Sequence, residues 1–338
     1  MSVTLVTGGA GFIGSNLVRG LLERGDAVRV LDNFSSGNRR NLAPFIDDVE
    51  IVEGDLRSYE RVHAAVRGAE LVFHQGALPS VPRSVQDPLT TNAVNVEGTL
   101  NVLLAARDED VGRVVFASSS SVYGGDGTPP RAEADAARPL SPYAVSKLAA
   151  ESYCVGFHRV YGLETVSLRY FNVFGANQDP ASQYAAVVPR FFSAVRAGER
   201  VPVYGDGRQS RDFTYVDNVV DANFAAADAD GLGGVVINIA TGRGTMVDEL
   251  ADLVGQTLAM PVTKQYLPQR AGEVRDSWAS IDEARRLIAY EPRVSLEEGL
   301  RRVAQRYLET EHEVPALGET PPDRSSVDMA DERCNIDD

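Results

Sequence analysis

Thr7-Gly8-Gly9-Ala10-Gly11-Phe12-Ile13-Gly14 follows the strand-like run Val3-Thr4-Leu5-Val6 and opens into helical spacing at Leu17, Leu21 and Leu22. Gly8 permits a tight turn, Gly11 lets backbone amides approach a pyrophosphate at a helix N-terminus, and Gly14 allows helix and strand to pack closely. A glycine triplet alone is weak. Here it occupies the first strand-to-helix junction, and Asp32 ends the second strand about twenty residues on, where a carboxylate can accept hydrogen bonds from an adenosine ribose. Such a carboxylate repels a 2′-phosphate, and Arg39 and Arg40 lie too far along to replace it, so the loop predicts NAD rather than NADP.

Outward from this loop, apolar runs at 3–6, 28–31, 49–52, 70–73 and 113–117 have strand length and alternate with helical spacing. That is the pattern of an α/β doubly wound parallel sheet, a Rossmann arrangement. Helices are expected near 89–107 and from Ser141-Pro142, a cap followed by proline. A strand at 164–170 precedes a loop-rich stretch. Strand 235–239 returns to the sheet, and helices follow near 246–257 and 295–309. We expect residues 1–171 plus about 214–240 to form the NAD-binding domain. Residues of about 172–213 plus 241–312 would build a smaller C-terminal α/β substrate domain. Residues 313–338, rich in Glu, Asp, Pro and Ser, read as a disordered acidic tail.

The 338 residues carry a formal charge of −15, which argues against nucleic-acid binding. No run approaches the roughly 18 to 20 apolar residues of a membrane span, and a strand begins within a few residues of Met1, so a cytoplasmic protein without a membrane partner is expected. Cys154 and Cys334 are far apart, and no metal site is predicted. Lys147 and Lys264 are the only lysines. An acidic, lysine-poor chain suits a halophile, and a GC-rich genome would also replace Lys by Arg.

That scarcity draws attention to Tyr143-Ala144-Val145-Ser146-Lys147, which sets a phenol and an ammonium one helical turn apart on one face. A phenol near pKa 10 is a poor base, and an adjacent cation favours its phenolate. The spacing alone arises often by chance. It gains weight from Ser118-Ser119-Ser120-Ser121-Val122-Tyr123-Gly124 at the end of the preceding strand, where doubly wound sheets bind ligands and a hydroxyl can relay a proton.

With these motifs in order, joined by Arg169-Tyr170-Phe171-Asn172-Val173-Phe174-Gly175, Gly205-Asp206-Gly207 and Arg211-Asp212-Phe213, the chain resembles the extended short-chain dehydrogenase/reductases, and among them the UDP-hexose 4-epimerases, over residues 3 to 312. The resemblance implies that Tyr143 is the catalytic base, Lys147 its pKa modulator and ribose ligand, and Ser119 the hydroxyl partner. It implies cofactor contacts from Gly8, Gly11, Phe12, Ile13 and Asp32, then from Asn33, Ser35, Gly37, Asp55 and Leu56. Gln75, Ala77, Asn95, Tyr170 and Val173 complete the implied NAD site. On the substrate side it implies Arg211 and Arg270 for the diphosphate, Glu273 for the uridine ribose and Asn172 for the sugar nucleotide. Ser80, Ser121, Ala186, Val187, Val203, Tyr204 and Ser277 are implied as further contacts.

Family members that remove water from the sugar carry an Asp-Glu pair where this chain has Ser120 and Ser121, and the uronate decarboxylases tend to carry a nearby carboxylate. The implied reaction is therefore 4-epimerisation of a UDP-hexose. Plain-hexose epimerases place a bulky aromatic where Ser277 stands, so a small residue leaves room for an N-acetyl group, while Pro79 stands where N-acetylhexosamine enzymes commonly have Gly. A nucleotide-sugar dehydratase, a uronate decarboxylase or epimerase, and a non-catalytic NAD-binding protein are the alternatives. Family members commonly form homodimers through the helices near 89–107 and 142–160.

Overall fold

Alternation of apolar side chains along four parallel strands feeds two separate cores. Leu5, Leu31, Val72, Val114 and Phe116 point to one face of the sheet, and their neighbours Val6, Val30, Phe73 and Val115 point to the other. Strands buried on both faces must be covered by helices on both sides, which is what parallel crossovers supply.

The computed structural model describes residues 3–125, 127–178, 186–269 and 274–312. In chain order its main elements begin β1 (Val3–Thr7), α1 (Phe12–Glu23), β2 (Ala27–Asp32), β3 (Val49–Glu53), α2 (Tyr59–Val66) and β4 (Ala69–His74). They continue with α3 (Val81–Gln86), α4 (Pro88–Asn92), a π turn (Ala93–Glu97), α5 (Gly98–Asp108), β5 (Arg113–Ser119), α6 (Pro142–Tyr161) and β6 (Glu164–Tyr170). The second half holds α7 (Val187–Arg196), β7 (Val201–Tyr204), β8 (Ser210–Arg211), α8 (Val216–Asp228), β9 (Val235–Ile239) and β10 (Thr245–Met246). It ends with α9 (Val247–Leu258), β11 (Lys264–Leu267), β12 (Asp276–Ser277), α10 (Asp282–Ile288) and α11 (Leu296–His312).

Seven strands form a parallel sheet in the order β3-β2-β1-β4-β5-β6-β9. The order reverses between β1 and β4, and a crevice opens there at the strands' carboxyl ends. One face is covered by α1 and α8, the other by α2, α5 and α6. A third core joins Phe191 and Phe192 of α7, Val201 and Val203 of β7, Leu250 and Val254 of α9, and Leu300 of α11. Beside it stand a two-stranded sheet, β7 with β11, and a three-stranded one, β10-β8-β12.

The expected 89–107 helix differs in one respect. It carries a π turn at Ala93–Glu97 between α4 and α5, and one such insertion leaves the apolar spacing nearly unchanged. The tail 313–338 lies outside the described residues, as do Arg270 and Glu273. Among the described residues no helix is long and apolar enough to cross a membrane, and no His, Cys, Asp and Glu cluster could hold a metal.

Candidate active site

The turn after β1 is shaped by what a side chain would strike. Gly8 has φ of +67°, and a Cβ there would lie 2.6 Å from Gly76 Cα; a Cβ on Gly14 would lie 2.1 Å from the Gly8 carbonyl oxygen. Helix α1 starts after Gly11 with no side-chain cap and no acidic residue in its first turn. Its leading N–H groups are thus left for an external anion. Phe12 and Ile13 sit half-buried behind the turn, packing toward the third and first cores respectively.

Asp32 closes the far side of this turn. Its Oδ2 accepts from Ala10 N at 2.9 Å and its Oδ1 from Phe34 N at 2.8 Å, so the carboxylate is fixed in place. Burial raises its pKa against the pull of these hydrogen bonds. Gly37 backs it so closely that a Cβ would lie 2.9 Å from Oδ2. Arg39 is nearer than its sequence distance suggests, because short turns fold the 39–45 segment back. Its guanidinium stacks 3.7 Å from the Phe34 ring centre, pairs with Glu53 and acts electrostatically on Asp32. Its guanidinium is thus committed to Glu53 and the Phe34 ring. Beyond it, Asn33 Nδ2 donates to Asp55 Oδ2 and Asn33 Oδ1 accepts from Ser35. Arg57 holds the Asp55 carboxyl well below the usual range.

After β4 the wall is built from Gln75, Ala77 and Ser80. Gln75 Nε2 donates to Tyr170 Oη and Asn223 Oδ1, and Ser80 caps α3 by accepting from Arg83 N. Leu56 packs under Gly76 and Gly98. Asn95 is 2 % exposed and committed to protein partners: it accepts from Leu78 N and donates to Leu78 O and to Ser146 Oγ.

The central cluster brings Ser119, Tyr143 and Lys147 together. Ser119 caps the turn that follows β5, its Oγ accepting from Ser121 N at 3.2 Å and from Ser121 Oγ at 2.9 Å. Its remaining proton points the hydrogen bond with Tyr143 toward the phenol oxygen, which favours phenolate; burial acts the other way and leaves the Tyr143 pKa raised. Lys147, 4 % exposed, donates to Ala117 O at 2.8 Å and lies 4.9 Å from the Phe116 ring centre. Burial pushes its ammonium down to about 8. The sequence suggests a cation acting directly on the phenol. In the fold the ammonium is anchored on the β5 backbone, while burial raises the Tyr143 pKa and the Ser119 hydroxyl lowers it.

Three further residues hold this cluster. Ser84 of α3, fully buried, accepts from Tyr143 N at 3.0 Å. Glu151, one turn beyond Lys147 on α6, pairs with Arg169 of β6 and accepts from Ser118 Oγ, tying α6 to both strands. The signal was available: a carboxylate in register with Tyr143 and Lys147, and an arginine inside an apolar strand.

On the far side of the crevice, Asn172 sits at φ of +31° and its Nδ2 donates to Asp212 O. Val173 is half-buried against the first and third cores. Arg211 and Ser277 are direct partners in the β8/β12 register. Arg211 Nη1 donates to the carbonyls of Ser210 and Arg275. A cleft of about 170 Å³ opens nearby between Tyr204, Gln209, Gln269, Val274 and Arg275. Val203 is fully buried, so only its backbone can reach a ligand. Ala186 and Val187 begin α7 at the edge of the third core. A second cavity, of about 360 Å³, lies at the opposite end of the strands among Arg24, Asp26, Glu70 and Arg113.

The cramped glycine turn, the uncapped α1 and the seated Asp32 carboxylate fit NAD. Residues 4–240 match the NAD dependent epimerase/dehydratase family. The UDP-glucose 4-epimerase of Mycolicibacterium smegmatis is 39 % identical over 311 residues, 89 % of this chain and 97 % of that protein. A UDP-N-acetylglucosamine 4-epimerase from Methanobrevibacter ruminantium, solved with UDP-N-acetylmuramic acid, superposes with a TM-score of 0.87 at 38 % identity, covering 91 % of this chain and 99 % of that one. The Thermus thermophilus UDP-glucose 4-epimerase, solved with NAD, gives 0.83 at 38 % identity, covering 90 % and 99 %. The doubly wound sheet thus has its counterpart in solved enzymes, and the chain belongs to the NAD-dependent epimerase/dehydratase family.

Proposed function

We propose that this enzyme is a UDP-sugar 4-epimerase, and the observation that carries the reading is the Ser119–Tyr143–Lys147 cluster with Ser120 and Ser121, rather than an acid and a base, beside it. When bound, NAD would supply a reversible hydride acceptor for C4 of the sugar. Gly8, Gly11 and Asp32 would hold the cofactor's pyrophosphate and ribose, and Lys147 its second ribose. Tyr143 takes the 4-hydroxyl proton as the ketone forms and gives it back after the ring presents its other face. Ser119, whose hydroxyl is oriented by Ser121, supports the phenolate before the first transfer and after the second, and Tyr143 holds the proton as a neutral phenol in between. Neither serine at 120 or 121 can protonate a leaving hydroxyl, which disfavours elimination.

Segments 172–213 and 241–312 form the substrate domain in this reading. Arg211 would grip the diphosphate, its planar fork matching phosphate oxygens. Ser277, beside it in register, keeps the sugar wall small, which supports UDP-N-acetylglucosamine and UDP-N-acetylgalactosamine as substrates alongside UDP-glucose and UDP-galactose. Incubation with each of the four, followed by chromatographic resolution of the epimers, tests this. Interconversion is expected, and no conversion of any of them refutes it. A 4-keto-6-deoxy sugar or a pentose in the mass spectrum would instead identify a lyase.

We also propose a homodimer. Leu89 is 83 % and Val160 72 % exposed, and Val145, Tyr153 and an open Gly156 extend the stripe along α6. Sedimentation at micromolar concentration should give twice the 36.5 kDa chain mass.

A further inference from the structure

Behind the cluster, a buried histidine outside every implied contact links the cofactor turn to the π turn. His74 ends β4 at 1 % exposure, with Nδ1 2.7 Å from Thr7 Oγ1 and Nε2 2.9 Å from Thr99 Oγ1. The direction of these bonds follows from counting protons. Thr99 has one hydroxyl proton, donated to the Asn95 carbonyl at 2.6 Å, so toward His74 it can only accept and Nε2 must carry hydrogen. Nδ1 is then the acceptor, and Thr7, which itself accepts from Gly76 N at 3.1 Å, donates to it.

We propose that His74 is a positioning residue: as the neutral Nε2–H tautomer it closes a one-way hydrogen-bond chain from Gly76 N through Thr7, His74 and Thr99 to the Asn95 carbonyl, and so fixes α6 against the cofactor turn. The chain ends on Asn95, whose side chain grips the backbone of Leu78 and the hydroxyl of Ser146, between Tyr143 and Lys147. The chain thus starts at the Gly8 turn and finishes at the catalytic helix. Neutrality matters for a second reason. His74 packs at a tilt against the Phe116 ring, 5.6 Å between centroids, and Lys147 lies over the same ring, so a charged imidazole would be repelled by the nearby ammonium. Burial, and then Lys147, hold the imidazole at about 3.

This inference rests on the reading of Tyr143 and Lys147 as the reacting pair, so the test has two arms. With only four histidines in the chain, ¹⁵N-histidine labelling of the full-length protein resolves each ring. His74 should stay neutral with its proton on Nε2 from about pH 5 to 8; titration in that range, or a proton on Nδ1, overturns the chain whatever the enzyme's activity. In the second arm, Thr99→Val should lower kcat by about tenfold to a hundredfold, the scale of a sub-ångström misplacement, with KM within about twofold and NAD still bound. Thr99→Ser should restore it. A folded Thr99→Val with unchanged kcat overturns the positioning role. If the wild type converts no sugar nucleotide, the epimerase reading fails, and amide exchange at Leu78 decides instead: faster exchange in Thr99→Val supports the chain and unchanged exchange overturns it.

Discussion

Replacing Lys147 by Met should abolish turnover and make the protein more stable at pH 7. The ammonium is buried and its pKa falls from 10.5 to about 8. Each unit corresponds to about 1.4 kcal/mol, so keeping the group charged at neutral pH costs about 3 kcal/mol. Methionine matches the stem and removes that cost, while losing the hydrogen bond to Ala117 O subtracts about 1 kcal/mol. The net expectation is a gain of about 2 kcal/mol. Its pH dependence has a definite sign. Below pH 8 both folded and unfolded chains carry the proton and the penalty is fully present; between about 8 and 10.5 the unfolded chain binds more protons, so wild-type stability rises with pH relative to the variant. Urea unfolding of both proteins at pH 7 and pH 10 isolates this group, because the other titrations cancel in the difference. A variant less stable than wild type at pH 7, or a difference that does not shrink toward pH 10, refutes the reasoning.

Other substitutions address the remaining parts of the site. Tyr143→Phe should lower kcat by about a hundredfold or more while NAD stays bound, measured by turnover and by cofactor absorbance of the purified protein. Glu151→Ala leaves the Arg169 guanidinium buried without its partner, with Arg169 Nη1 already unbonded, and should cost about 3–5 kcal/mol in urea unfolding. Gly14→Ala forces a Cβ to within 2.1 Å of the Gly8 carbonyl oxygen, so calorimetric titration should find NAD affinity lost even where the fold survives. Asp32→Ala should weaken NAD and reduce its preference over NADP in the same titration, since the carboxylate that rejects a 2′-phosphate is gone.

What the chain disclosed before its structure is uneven, for physical reasons. The inner parallel strands were legible because doubly buried strands need continuous apolar runs, and each apolar run lies within a strand of the sheet, the exposed edge strand β3 included. The cofactor turn was legible because steric demands at Gly8 and Gly14 admit almost nothing else. The smaller sheets were not. Strands β8, β10 and β12 have two residues each, too short for any alternation, and β7 pairs with β11 across some sixty residues. The Val203 side chain, in a contact position that the resemblance implies, lies in the core, and a four-residue strand does not announce which face is covered.

The same contrast holds within the site. Ser119, Tyr143 and Lys147 stand at spacings that a helix and a strand end make meaningful, whereas their supports come from elements without a local pattern. Ser84 reaches Tyr143 N from α3, Glu151 meets Arg169 between a helix and a strand, and the π turn turns Asn95 onto Leu78 and Ser146. These supports also explain how the reacting groups tolerate burial. A half-buried phenol and a buried ammonium are each pushed toward neutrality, and that is unfavourable for a charged pair unless every nearby polar group is directed. Here the directing is one-sided: Ser121 turns Ser119 toward the phenol, and the Ala117 carbonyl holds the ammonium. Neither bond requires a carboxylate. In the proposed reading, the hydroxyls and carbonyls of this cluster would hold and return a single proton, and among the described residues of the cluster Ser120 and Ser121 would offer no second acid to expel a hydroxyl.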